Sequence, residues 1–246
     1  MVIGSKVIFK DSLESTNDYA SGLLKLEKQP EGTVVHTNYQ TAGRGQQGNS
    51  WESEPGKNLL LSIILYPGRI KPEDQFIISM AFSLGVLDFV KNFTKGCSIK
   101  WPNDILAGDA KIAGLLIENS ILNDRIIHTI AGIGLNMNQM EFNRYSPPAA
   151  SLKSITGKDY DLKESVKQLL VRLDRRYKQL LSGKSPKMKN EYISSMYGFM
   201  SWRSFRIGSG RILSGRIIGI SHSGQLMVEA ENSTIANFNF KEIEFM

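Results

Sequence analysis

At 246 residues with 41% hydrophobic side chains, the chain has material for one large core and a small appendage. Its formal charge of +6 is unevenly placed: residues 1–150 carry 14 basic and 15 acidic side chains, 151–200 carry 11 and 5, and 201–246 carry 5 and 4. That distribution argues against a basic nucleic-acid-binding face over the first 150 residues, the lone Cys97 excludes an internal disulfide framework or Cys-cluster metal site, and His36, His128 and His222 are too scattered for a paired-histidine motif.

A strand is expected around residues 7–9. Ser15, Thr16 and Asn17 then offer capping side chains to a helix carrying Ala20, Leu23 and Leu24. A strand over 33–36 delivers a glycine-rich run from Gln40 to Trp51. Glycines at 43, 45 and 48 let backbone amides approach an anion and reach positive φ without a Cβ penalty. With the permanent charge of Arg44 among them, the run reads as a phosphate-wrapping loop. The same residues satisfy the dinucleotide-binding pattern G-x-G-x-x-G, but that site needs a helix directly after its glycines to receive the pyrophosphate. Here an apolar strand over 59–65 follows instead. The apolar run 59–66 is far below the roughly 20 residues that cross a bilayer, and the first residues lack a signal peptide's apolar core, so a soluble cytoplasmic protein is expected.

Pro72, Glu73 and Asp74 open a helix reaching about Phe93 that is apolar on several faces and therefore predicted to be deeply buried. Short β segments at 98–101, 112–117 and 126–133 are punctuated by a Pro-Asn-Asp turn at 102–104 and a Gly-Asp turn at 108–109. Tight turns predict antiparallel pairing and so a mixed α+β sheet with flanking helices. Helices are expected over 163–181 and 186–197. Arg172, Arg175, Arg176 and Lys178 are assigned to a solvated polar face, with a docking surface for an acidic partner as the alternative. Beyond Gly198, strands at 205–207, 211–220, 225–228 and 234–238 predict a small β-barrel-like domain, dividing the chain into 1–198 and 199–246.

Three further clusters break the structural pattern: Lys100-Trp101-Pro102-Asn103-Asp104, Lys111-Ile112-Ala113-Gly114 continuing to Glu118, and Gly132-Ile133-Gly134-Leu135-Asn136. Each alone has an ordinary explanation, since lysines guard strand edges and Asn-Gly combinations make turns. Taken in order with Ser15-Thr16-Asn17 and the glycine-rich loop, however, these motifs resemble those of the biotin protein ligases, in the short form without an N-terminal DNA-binding domain. The resemblance covers essentially the whole chain.

The resemblance implies a catalytic domain related to class II aminoacyl-tRNA synthetases over 1–198 and an SH3-like domain over 199–246. It also implies a two-step reaction. The biotin carboxylate attacks the α-phosphate of MgATP to give biotinyl-5′-AMP and pyrophosphate, and a lysine of a biotin carboxyl carrier protein or carboxylase domain then takes the acyl group. A carboxylate and a polyphosphate repel one another, so Lys111 and Arg44 become the expected catalytic cations. Biotin-binding roles are implied for Ser15, Thr16, Asn17, Gln40, Gly43, Arg44, Gly45, Gln46, Lys111 and Gly114. ATP-binding roles fall to Arg44, Trp51, Lys100, Asn103, Lys111 and Asn136, and a Mg²⁺ role to Asp104. No DNA or membrane partner is expected, and a homodimer is compatible with the sequence. One departure stands out: Gln46 lies where the family often carries arginine, which predicts weaker retention of the adenylate. The competing readings are a lipoate ligase of the related fold and, less in keeping with the charge distribution, a nucleic-acid-binding protein.

Overall fold

The computed structural model describes residues 1–246 apart from Arg144, Ser146 and Ser209 and the side chain of Gln47. Its larger sheet contains β1 (Val7–Leu13), β2 (Thr33–Gln40), β3 (Leu59–Leu65), β4 (Cys97–Lys100), β5 (Asp104–Ala107), β6 (Ala110–Leu122) and β7 (Arg125–Leu135) in the spatial order β1-β2-β3-β7-β6-β5-β4. β1 and β2 run parallel and every other pair is antiparallel, the mixed arrangement expected from the tight turns.

Helix α1 (Thr16–Leu26) covers part of one face; α2 (Phe76–Val90), α4 (Leu162–Leu181) and α5 (Ser185–Ser194) lie on the other. Successive strand residues point to opposite faces. Val34, Ile63 and Ala131 accordingly join the main core, while their neighbours Val35, Ile64 and Ile130 pack with Ala20 beneath α1. Burial on both faces explains why β3 is apolar almost throughout instead of alternating. The same logic applies to α2, which is buried on nearly every side because it lies between the sheet, α4 and α5. It begins at Phe76, after a short 3₁₀ turn at Pro72–Asp74.

Three elements escaped the sequence reading. β5 occupies the interval between two predicted turns. Helix α3 (Leu152–Thr156) is a single capped turn, with Ser151 and Ser154 exchanging side-chain-to-backbone bonds and Gly157 ending it at φ 72°. The third is β12 (Ile243–Phe245). The basic face of α4 needs a correction as well. Arg176 is 5% exposed rather than solvated, because Asp88 on α2 and Glu191 on α5 both grip it, at 2.7 and 2.5 Å. Burial opposes its charge, yet the hydrogen bonds from these two carboxylates hold its pKa above the ordinary arginine value. Arg175 also pairs with Asp88, and Lys178 with Asp174, so this stretch of positive charge is partly consumed inside the fold.

A second, five-stranded antiparallel sheet is formed by β8 (Trp202–Ile207), β9 (Arg211–Ile220), β10 (Leu226–Ala230), β11 (Ile235–Phe238) and β12, in the order β11-β10-β9-β8-β12. Its Phe205, Ile217, Leu226 and Ile243 belong to the same apolar cluster as Ile99 and Trp101, and the Trp101 indole N–H donates to the Gly224 carbonyl at 2.9 Å. This joint matters because it brings the end of the chain to the sheet region that carries the sequence motifs. Among the described residues, no helix is long and apolar enough to cross a membrane.

Candidate active site

α1 covers only the end of the sheet face marked by Val35, Ile64 and Ile130. Further along the same strands, that face carries Ser62, Gly132 and Gly134, with Leu116 and Gly114 as their register partners on β6. There a cleft of about 780 Å³ opens, within the ~300–1,000 Å³ common for small-molecule sites. Of the residues expected at the site, Ser15, Thr16, Asn17, Gln40, Arg44, Gly45, Gln46, Trp51, Lys100, Asn103, Asp104, Lys111, Gly114 and Asn136 all line it. Gly43 is buried just behind.

One end of the cleft is neutral. Ser15 caps α1 by accepting from Asp18 N, which turns Thr16 and Asn17 inward. Gln40 Oε1 accepts from both Thr16 N and Thr16 Oγ1, at 2.8 and 3.0 Å, while Ser62 Oγ lies 2.7 Å from Thr16 Oγ1 and 2.5 Å from Asn17 Oδ1. Ser62 was not singled out from sequence, although its signal was present: it is the one polar residue in an otherwise apolar buried strand. Gly132 is required here because a Cβ would overlap the Asn17 carboxamide.

The glycine-rich loop is organised differently from the expectation. It folds back on itself, Trp51 N donating to Gly43 O at 2.8 Å and Gly45 N to Asn49 O at 2.7 Å, with a 3₁₀ turn at Gln46–Gly48. Those two amides are therefore spent within the loop rather than presented to an anion. Of the three glycines only Gly48 has positive φ, at 85°; Gly43 is needed because a Cβ would strike Trp51 and Gln40. Arg44 is likewise committed. Asp18 holds it at 2.6 and 3.0 Å and Glu118 at 3.1 and 3.2 Å. Burial disfavours its charge, but the hydrogen bonds from Glu118 and Asp18 outweigh this and raise its pKa. Instead of offering a free cation to phosphate, Arg44 anchors the loop to α1 and β6.

Trp51 lies on a shelf formed by Gly114 and Gly134, which face each other across β6 and β7. A Cβ on Gly134 would overlap the indole. Lys111 Nζ stands 5.7 Å from the indole centroid and 2.7 Å from Asp104 Oδ1. Lys100, beside them, sits 5.3 Å from the Phe245 ring; burial lowers its pKa, Asp104 and Glu244 oppose the shift, and Lys111 adds to it. This is the cationic end. Asn103 ties the turn to β6, its Nδ2 donating to Leu115 O and its carbonyl accepting from Leu115 N. Asn136 donates to Ala150 O at 3.0 Å, leaving its buried Oδ1 without a partner among the described residues. Gln46 Oε1 and Trp51 Nε1 are likewise buried and unpartnered. Three orphaned polar atoms on residues of one cleft mark a surface completed by a polar ligand.

Sequence reasoning also missed walls contributed from a distance. Phe240, from the turn between β11 and β12, and Phe245, from β12, enter from the C-terminal region, and Tyr145 lines the rim, its hydroxyl bonded to Glu52. No group of three or more His, Cys, Asp or Glu side chains able to hold a metal ion occurs among the described residues.

Comparison with known proteins agrees with this geometry. Residues 9–136 match the model of the biotin/lipoate A/B protein ligase family. The bifunctional ligase/repressor BirA of Bacillus subtilis is 30% identical over 99% of this chain and 75% of its own length. The biotin–[acetyl-CoA-carboxylase] ligase of Mycobacterium tuberculosis is 26% identical over 83% and 76%. The structure of the Aquifex aeolicus biotin protein ligase in complex with biotin and ATP superposes with a TM-score of 0.80 at 28% identity, covering 98% of this chain and 99% of that one. The chain thus belongs to the biotin/lipoate A/B protein ligase family.

Proposed function

We propose that the protein is a biotin protein ligase, forming biotinyl-5′-AMP from biotin and ATP and transferring the biotinyl group to a lysine of a biotin carboxyl carrier protein. The observation that carries this reading is the division of one cleft into a neutral, hydroxyl- and amide-lined end and a cationic end. A ureido ring is uncharged and needs matched donors and acceptors, which Ser15, Thr16, Asn17 and Gln40 supply from the cleft wall, with Ser62 behind them fixing Thr16 and Asn17. A carboxylate meeting a polyphosphate needs positive charge, supplied by Lys111 and Lys100.

In the first step a biotin carboxylate oxygen bonds to the α-phosphorus while the bond to the leaving pyrophosphate breaks. Lys111 offsets the negative charge gathered there. Trp51 covers the reacting groups and limits access of water to the mixed anhydride, with Asn136 oriented towards the nucleotide. In the second step the neutral amine of the carrier lysine attacks the acyl carbon, AMP departs and a proton is released. Magnesium suits the donor set as the companion of ATP, since it keeps several waters and takes one or two carboxylates besides the phosphates. Asp104 would hold it, and the ion would supply further charge neutralisation.

We assign residues 1–198 to catalysis and 199–246 to the smaller domain, whose Phe240 and Phe245 close one wall. The cytoplasm, where carrier and ATP meet, is the expected place of action. The test is incubation with biotin, MgATP and a carrier domain, followed by intact-mass measurement, with lipoate and a lipoyl domain in parallel. A single biotinyl adduct on the carrier is expected; an adduct formed only with lipoate would overturn the reading.

A further inference from the structure

Glu118 has no role in the chemistry derived above, yet it touches both the glycine-rich loop, through Arg44, and the neutral end, through Asn17. It projects from β6 beside the neutral end, with its side chain 38% exposed. Besides the Arg44 guanidinium, it receives a 2.6 Å bond from Asn17 Nδ2. Asn17 is 4% exposed; its Nδ2 also reaches Leu116 O at 3.3 Å, and its Oδ1 faces Ser62 Oγ.

A carboxamide donates from nitrogen and accepts at oxygen, whereas an ionised carboxylate only accepts. Glu118 therefore can face only the nitrogen end of Asn17, which turns Oδ1 towards Ser62. Oδ1 in turn claims the single hydroxyl proton of Ser62. Thr16 Oγ1, 2.7 Å from Ser62 Oγ and 3.0 Å from Gln40 Oε1, then directs its own proton to these two acceptors. Ser62 lies fully buried behind the wall, so Thr16 Oγ1, whose proton is committed inward, is the hydroxyl that presents lone pairs to the cleft. Such a surface takes ligand N–H donors.

We propose that Glu118 is a positioning residue that sets the direction of this hydrogen-bond chain and so makes the neutral end an acceptor surface for the N–H groups of a cyclic urea. The inference rests on the biotin reading given above. Replacing the carboxylate by an amide allows Glu118→Gln to present N–H to Asn17, so the carboxamide can reverse and Ser62 loses its fixed acceptor. Arg44 still keeps Asp18 as a partner.

The experiment is calorimetric titration of biotin into the wild type, Glu118→Gln, Asn17→Ala and the double variant, with the KM for ATP and the thermal midpoint measured alongside. Losing one net hydrogen bond corresponds to about tenfold. Glu118→Gln is therefore expected to weaken biotin binding by about that factor while the KM for ATP stays within about twofold. The double variant should bind no more weakly than Asn17→Ala, because Glu118 acts through Asn17. Additive losses, an equal rise in the KM for ATP, or unchanged biotin affinity in Glu118→Gln would overturn the inference while leaving the ligase reading intact. A wild-type protein that takes up no biotin would overturn both.

Discussion

Replacing Lys111 by alanine removes the ammonium that stands 2.7 Å from Asp104, in a pair whose side chains are 29% and 20% exposed. At an effective dielectric constant of about 20, a unit charge about 4 Å from a developing anion interacts with it by on the order of 4 kcal/mol. Partial exposure screens some of that. Deleting one preorganised contact to transition-state charge typically costs ~2.7–4 kcal/mol, or about 10²–10³ in rate. The substitution also leaves the Asp104 carboxylate unpaired beside the incoming phosphates, which pushes the loss towards the upper end. Stability should change little, since pairs of this exposure contribute about 0–1 kcal/mol. Pyrophosphate release is therefore expected to fall at least about a hundredfold in Lys111→Ala, with a thermal midpoint close to that of the wild type. Lys111→Met, which keeps an apolar stem against Trp51, should lose as much, because charge and not packing is the missing element. Near-normal pyrophosphate release in both variants would refute the assignment.

Gln46→Arg should slow dissociation of biotinyl-AMP by about tenfold or more, because Gln46 lies in the cleft and a charge-assisted bond contributes roughly 1.5–3 kcal/mol; an unchanged rate in rapid-dilution measurements would show that position 46 does not reach the phosphate. Gly134→Ala forces the Trp51 indole off its shelf, so indole fluorescence should shift and nucleotide affinity should fall, with far-UV circular dichroism preserved; an unaltered affinity would count against Trp51 as the cover of the site. Burial holds the pKa values of His36 and His128 below 6.5, so on acidification the unfolded chain takes up protons first. Unfolding free energy should therefore decline as pH drops through about 6.5 and stop responding to these groups below their folded values. Urea midpoints at several pH values, compared with those of a His36→Gln, His128→Gln variant, should show a shallower slope for the variant.

Local chemistry was legible without coordinates wherever neighbouring residues decide the outcome. Ser15 caps the helix that begins at Thr16, tight turns made the strands from 97 to 135 antiparallel, and the ordered motifs contain most of the residues that line the cleft. What each of those side chains does was settled by partners far away in the chain. Arg44 reads as a free cation among glycines until the fold brings Asp18 from 26 residues away and Glu118 from 74. Asn17 meets Glu118 across 101 residues, and the Trp51 shelf exists only because strand pairing sets Gly114 opposite Gly134. Ser62 passed unremarked inside an apolar strand, and the aromatic wall from 240 to 245 lay outside every motif. Periodicity and turn preference act over a few residues and survive in the sequence alone. Electrostatic pairing and steric shelter depend on which strands become neighbours, and that is decided by burying both faces of the sheet at once.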